Sequence, residues 1–507
     1  MTSISSLSKA TPATATTTTA AAGTSSIGSG NAGAAASGAS TVVSLGAGGV
    51  PQGDRPLVWE NRVRSTSANL MAQNHTSQPL AGRLKGLGGE LLKQVAYDGE
   101  DFSQSVGQAP AGVQADTYDM LVMPSQVSQH GLGDNQISLS ITTRSGVKID
   151  LALDAGDGSI AVEAHSSGKL NDSERKALGK LADAFQQAID GLTEAPPRID
   201  LSGLTRFDGA VLSSVDLKGQ VKISPKETQQ LEFHADGTQR QVSFTGPAGS
   251  AKIGVDLSQP ASWGNKAQQA KALDRYLQQV DQAGLRGQGN GAMLGMFKDA
   301  FTDMNSDYGT PPVAPRAVML TDQDRATTTG LADFTASMSQ AEVASNPARS
   351  TEKDTFAYEL SQKTTIGGQS KLDRSISQQQ QSRLKAHYHA PVKADAALAL
   401  DLSPQSQNYQ YVTIDDSASS KTSISYNDGA LAKATLEMSA NRSTRVLTYT
   451  LGKLRDDQTT PSGKGTIRDL MPTLGAASEA SDYDREQMLT ALNNQIFLQS
   501  DPDAIAK

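Results

Sequence analysis

Residues 136–165 read QISLSITTRSGVKIDLALDAGDGSIAVEAH. Apolar side chains take every second position: Ile137, Leu139 and Ile141, then Val147, Ile149, Leu151 and Leu153, then Ile160, Val162 and Ala164. Period two is the period of a strand with one buried face. Ser145-Gly146 and the run DAGDGS at 154–159 supply turns, so the stretch predicts a three-stranded antiparallel meander. The period then lengthens. Leu178, Leu181, Phe185, Ile189 and Leu192 form a helical stripe. Asn171, with Glu174 three residues on, opens it with capping-box spacing, and Gly191 and Pro196-Pro197 close it. A one-sided sheet and a one-sided helix can cover each other. The expected fold class is therefore α+β, with antiparallel β-meanders covered by amphipathic helices.

Downstream the scheme recurs. Val215, Leu217, Val221 and Ile223 alternate, Leu231 and Phe233 lead through Asp236-Gly237 to Val242 and Phe244, and Ile253, Val255 and Leu257 add a strand. A helix from about Asn265 carries Leu273, Tyr276, Leu277 and Val280, with Gly284 as its expected cap. A further helix carries Leu294, Phe297, Phe301 and Met304. Strands followed by a helix, twice over, raise the expectation of an internal duplication, although the residues themselves do not repeat.

The segment GKLNDSERKALGKLADAFQQAIDGL, followed by FDGAVLSSVDL, resembles an uncharacterised bacterial domain of unknown function. The matching positions are Gly168, Leu170, Glu174, Phe185, Phe207, Asp208, Leu212 and Leu217, within residues 137–222. The resemblance implies a bacterial source and an α+β fold, and no activity.

Upstream, Leu80, Leu84, Leu87, Leu91 and Leu92 predict a helix weakened by glycine. Beyond Ser306 the chain turns rich in Pro, Thr, Ser and Ala, which marks a linker. Strand alternation returns at Phe356, Tyr358 and Leu360, at Tyr409 and Tyr411, at Ala434, Leu436 and Met438, and at Leu447, Tyr449 and Leu451. Asn427-Asp428-Gly429 is a turn. A last helix starts near Ser481 and carries Leu489, Leu492 and Ile496. The expected organisation is a Ser/Thr/Ala/Gly tail (1–53), a helical and irregular segment (54–130), an α+β domain (131–310), a linker (311–352) and a β-rich domain with a C-terminal helix (353–507).

The first 53 residues hold a single charge, Lys9, whereas the remaining chain holds 44 bases and 53 acids. Such a tail cannot bury enough apolar surface to offset the entropy of ordering it. Its composition resembles the N-terminal leaders of bacterial type III and flagellar export substrates, which implies release by a non-classical route. A spacer in a cytoplasmic protein is the alternative. Zero cysteines fit export and exclude disulfides and thiolate sites. The acidic balance argues against nucleic acid as a partner, and no apolar run reaches the length of a membrane span.

Few residues point to chemistry. His387 and His389, at i and i+2, share a strand face and could ligate one zinc ion, with His234 as a third histidine on a strand. Residues 371–393 hold five bases and one acid around QQQQ (378–381), with Tyr388 the sole aromatic. A solvated edge strand explains that as well as a polyanion surface does. Gly287, Gly289 and Ala292 match a dinucleotide fingerprint, but after a helix instead of a strand. Asp303, Asn305 and Asp307 have calcium-loop spacing, with the glycine one place late and Ala314 where the last ligand belongs. No catalytic, cofactor-binding or metal-binding residue is assigned. The function expected is that of a non-enzymatic exported or surface-associated binding protein with a protein partner. The alternatives are a metal-dependent hydrolase built on His387 and His389, and a cytosolic scaffold.

Overall fold

The computed structural model describes residues 56–78, 80–99, 101–109, 129–309, 320–368, 370–393 and 396–505. The tail read as an export leader lies outside them, as does Ala314. The described chain opens with β1 (Leu57–Trp59), α1 (Thr66–Asn74), α2 (Leu80–Leu84), α3 (Leu87–Asp98) and β2 (Phe102–Gln108). The expected meander follows as β3 (Asn135–Thr143), β4 (Lys148–Gly156) and β5 (Ser159–Ser166), and then α4 (Asp172–Thr193). Next come β6 (Leu212–Ser224), β7 (Glu227–Asp236), β8 (Gln239–Gly246), β9 (Gly249–Asp256), α5 (Lys266–Gly287) and α6 (Gly291–Met304). The remainder is α7 (Asp322–Ala326), β10 (Asp333–Gln340), β11 (Thr355–Gly367), β12 (Ser375–Pro391), β13 (Tyr409–Asn427), β14 (Ala430–Thr450), β15 (Lys453–Asp469), α8 (Met471–Glu479) and α9 (Asp482–Gln495).

All fifteen strands belong to one antiparallel sheet, ordered β1-β2-β5-β4-β3 and then β6 to β15 in sequence. Residues paired directly across neighbouring strands share a face. One such row runs Leu217, Phe233, Val242, Ile253, Ala336 and Leu360, from β6 to β11, and every member is buried. The helices lie on this face. The expected capping box is present: the Asn171 side chain accepts from Glu174 N–H, and Glu174 accepts from Asn171 N–H. Its stripe packs down, with Leu192 filling the space over Gly219 of β6. Tyr276 of α5 and Phe301 of α6 both meet Phe334 of β10 edge to face, at 4.9 and 5.0 Å. Of the eight residues that carry the resemblance to a bacterial domain, Leu170, Phe185, Leu212 and Leu217 are core and Glu174 is the cap. Asp208 holds a turn by accepting from Ala210 N–H.

Several expectations change. The stretch 311–352, read as a linker, contains α7 and β10 in its described part. β10 pairs with β9 on one side and β11 on the other, so the sheet continues through it without a break. Its Ser/Thr-rich sequence concealed the strand because alternate side chains face solvent. The single helix expected from Leu80 is two, broken at Gly86, whose φ of 73° is left-handed. Gly284 does not end α5, which continues to Gly287 and is capped by left-handed Gln288. Residues 54–130 contribute strands β1 and β2 to the sheet edge as well as helices. The two groups of strands that precede helices are connected differently: β6 to β9 are neighbours in sequence order, whereas β2 pairs with β5.

The helix-side face also carries polar groups from β11 to β13. The buried loop between α7 and β10 gives its backbone to them: Gln378 Oε1 accepts from Thr329 N–H at 2.7 Å, and Gln362 Nε2 donates to the Leu331 oxygen at 2.9 Å. Gln380 does the same for the C-terminal segment, donating to the Ile496 oxygen at 2.9 Å and accepting from Leu498 N–H at 3.1 Å. Asp324 and Arg374 form a buried ion pair at 2.7 Å, to which Tyr426 donates its hydroxyl at 2.8 Å.

Candidate functional site

Among the described residues no helix lies on the other face of the sheet. Alternation puts its side chains in register across nine strands, β6 to β14. One row is Asp216, His234, Gln241, Gly254, Thr335, Ser361, Gln381, Ser419 and Ser439. The next runs Lys218, Glu232, Ser243, Lys252, Ser337, Glu359, Arg383 and Ser417, from β6 to β13. Both rows line a trough of about 1080 Å³, and no member of either is buried. Eight inter-strand steps of about 4.8 Å make it about 38 Å long, and two rows are about 7 Å apart along the strands.

Small side chains make the depth. Ser, Thr and Gly fill the middle of both rows, and longer charged groups stand among them. Lys218 pairs across to Glu232 and Glu359 across to Arg383, so the charges alternate in sign instead of forming a field of one sign. Neither row contains Phe, Tyr or Trp, and the one imidazole, His234, stands at the end, so the floor offers no run of stacking platforms for bases or sugars. At the β7 end His234 sits between carboxylates, with Nδ1 2.7 Å from Asp216 Oδ1 and Nε2 3.2 Å from Asp236 Oδ2. Burial pulls its pKa down, but the hydrogen bonds to Asp216 and Asp236 outweigh burial and leave it raised.

His387 and His389 continue the same bare face along β12, beyond the trough. The connection from β10 to β11 folds over them. His389 is buried, with Nδ1 2.6 Å from Asp354 Oδ1 and Nε2 3.3 Å from Glu352 Oε2, between the rings of Tyr409 and Tyr411. Tyr409 donates to Glu352 at 2.7 Å, and Arg349 lies over the Tyr449 ring at 4.4 Å. Burial raises the Asp354 pKa, but hydrogen bonds from His389 and Ser345 win and hold it below the ordinary carboxylate range. His387 faces Thr413 instead, at 3.3 Å. The two imidazoles therefore do not converge, and His234 lies several strands away on β7. Among the described residues no group of three or more His, Asp or Glu is placed to hold a metal ion. His389 instead ties the β10–β11 connection to the sheet.

The other sequence candidates have structural places. Gly287 and Gly289 form the close turn between α5 and α6: a methyl on Gly287 would lie 2.9 Å from the Phe356 ring. The run at 303–307 winds around Arg240. That buried guanidinium donates to the backbone oxygens of Thr205, Met304, Ser306 and Asp307, at 3.1, 3.1, 2.5 and 2.6 Å. The turn that follows α6 is thus held by a buried cation from β8, and the Asp303 carboxylate is turned to Leu201 N–H. Burial lowers the Arg240 pKa to about 10.

The trough was not visible in the sequence, because its two rows come from nine strands whose register no local pattern encodes. Among the described residues no helix is long and apolar enough to cross a membrane. No family model matches this chain, and no curated protein or solved structure matches it either.

Proposed function

We propose that the protein is a non-enzymatic binding protein that holds an extended, polar polypeptide segment of a partner along the bare face of its sheet. The observation that carries this is the uncovered trough itself, set against the helices and buried loops packed on the opposite face. Its length of about 38 Å suits about eleven extended residues, and its width of two side-chain rows suits a single chain. Hydroxyls on the floor can satisfy backbone N–H and C=O groups of such a segment, and the alternating charges favour a partner of mixed sign. The composition of residues 1–53 supports a place of action outside the cell.

Photo-crosslinking in the native host tests this. Benzoylphenylalanine at Thr335 or Ser361 is expected to capture a discrete protein adduct, while the same group at Lys180, exposed on α4, captures none. Charge reversal of Lys252 and Glu359 should reduce the yield severalfold. Equal labelling from all three positions, or none from the trough, would rule the trough out as the binding site.

A further inference from the structure

Among the described residues the last strand of the sheet has a neighbour on one side only. β15 is seventeen residues long, pairs with β14, and contains no buried residue. The opposite edge is β1, three residues long. A long unpaired edge exposes a row of backbone donors and acceptors that another strand can take up.

The charges on β15 say which strand. Its sequence contains the dipeptide Arg-Asp twice, at 455–456 and 468–469. Laid antiparallel on a second copy with Ser462 opposite Ser462, β15 sets Asp456 opposite Arg468 and Arg455 opposite Asp469, and twofold symmetry repeats both pairs. No like charges then face each other directly: Asp457 meets Ile467 and Lys464 meets Thr460. Asp457 is also neutralised within its own chain by Arg445 at 2.7 Å. The ladder with β14 is regular from Asp456 to Asp469, with its only shift at Arg455, so the pairing segment is an unbroken strand. Among the described residues Arg455 and Asp456 make no ion pair within the chain. Pro461, which has no N–H, lies opposite Gly463, where side-chain bulk is least.

We propose that β15 pairs antiparallel with β15 of a second copy of this chain about Ser462, joining two sheets into one. A two-strand seam is a small interface, so association belongs in the micromolar range and should weaken with salt.

The test uses the full chain in sedimentation velocity from about 1 to 200 μM. The wild type is expected to shift from monomer to dimer. Asp456→Arg and Arg468→Asp, each of which faces like charges across the seam, should each weaken the dimer at least tenfold, and the double swap should restore it. A cysteine-free chain allows a second readout. Ser462→Cys places its thiol at the twofold axis, within disulfide range of its own copy. It should oxidise to a covalent dimer at least tenfold faster than Thr459→Cys or Lys180→Cys. A wild type that stays monomeric to 200 μM, a swap that does not restore pairing, or equal oxidation rates at the three positions would overturn the proposal. The edge would then be one that Pro461 and its charges keep unpaired.

Discussion

His234 lies where one proton changes the balance of the trough wall. Its imidazolium is held by Asp216 and Asp236, so its contribution to stability is fully present below about pH 6.5 and is lost as pH rises through its raised folded value. His234→Gln should therefore lower the melting temperature at pH 5.5 and do little at pH 9. A deficit that grows with pH would contradict the arrangement. Asp303 has the same sense of pH dependence in a lower window and for a different reason, since its charged form is the one disfavoured. Burial raises its pKa to about 6, against the single N–H it receives from Leu201, and Asp200 and Asp299 add to the rise. A carboxyl with a raised folded pKa supports the fold below about pH 4 and loses that support as pH climbs through about 6. Asp303→Asn keeps the acceptor and removes the charge. It should stabilise the protein at pH 8 by about 2 kcal/mol, the worth of such a shift less what solvent screens. At pH 4 it should do almost nothing. Chemical denaturation at the two pH values separates these outcomes.

Strand β12 shows what alternation does to identical residues. Gln378 and Gln380 are buried and hold backbone groups of two loops, whereas Gln379 and Gln381 face solvent on the bare side. Gln380→Leu leaves the Leu498 N–H and one bond of the Ile496 oxygen unmet and should cost about 2–4 kcal/mol. Gln381→Leu should cost under about 0.5 kcal/mol. Guanidinium unfolding of both variants is the check. Four equal letters carry no period, so this division could not be read from the chain. Where period and punctuation agreed, the reading held: β3 to β5, the Asn171 capping box, and the turn at Asn427-Asp428-Gly429, where Asp428 and Gly429 both have positive φ. It failed where strands lack an apolar row or use a short one. β10 buries Phe334, Ala336 and Met338 but reads as a polar connection, and in β15 the alternate residues that are half-buried, Lys464, Thr466 and Arg468, are polar, so no apolar period marks the strand. The trough was illegible for a different reason. Its floor depends on which residue faces which across nine strands, and strand register is a property of pairs.

Across the whole molecule the two halves share one core. α5 and α6, encoded before residue 310, cover strands encoded after it: Tyr276 and Phe301 on Phe334, Gly287 on Phe356. Expressed separately, residues 56–309 and 320–505 should each be insoluble or give only a broad, weakly cooperative melt. Sharp independent transitions would restore the picture of two self-sufficient domains. Strand order has a mechanical consequence. From the C-terminal side, once the segment held by Gln380 and helices α9 and α8 have come away, β15, β14 and each strand back to β6 is the edge when its turn comes, so the sheet unzips one ladder at a time. From the N-terminal side the third strand met is β3, gripped by β4 and β6 at once. A processive unfoldase engaged through a tag at one end or the other should advance in a run of small steps from the C-terminal side and stall at β3 from the N-terminal side. A machine that drew this chain through a pore N-terminus first would have to take it before β6 had docked on β3.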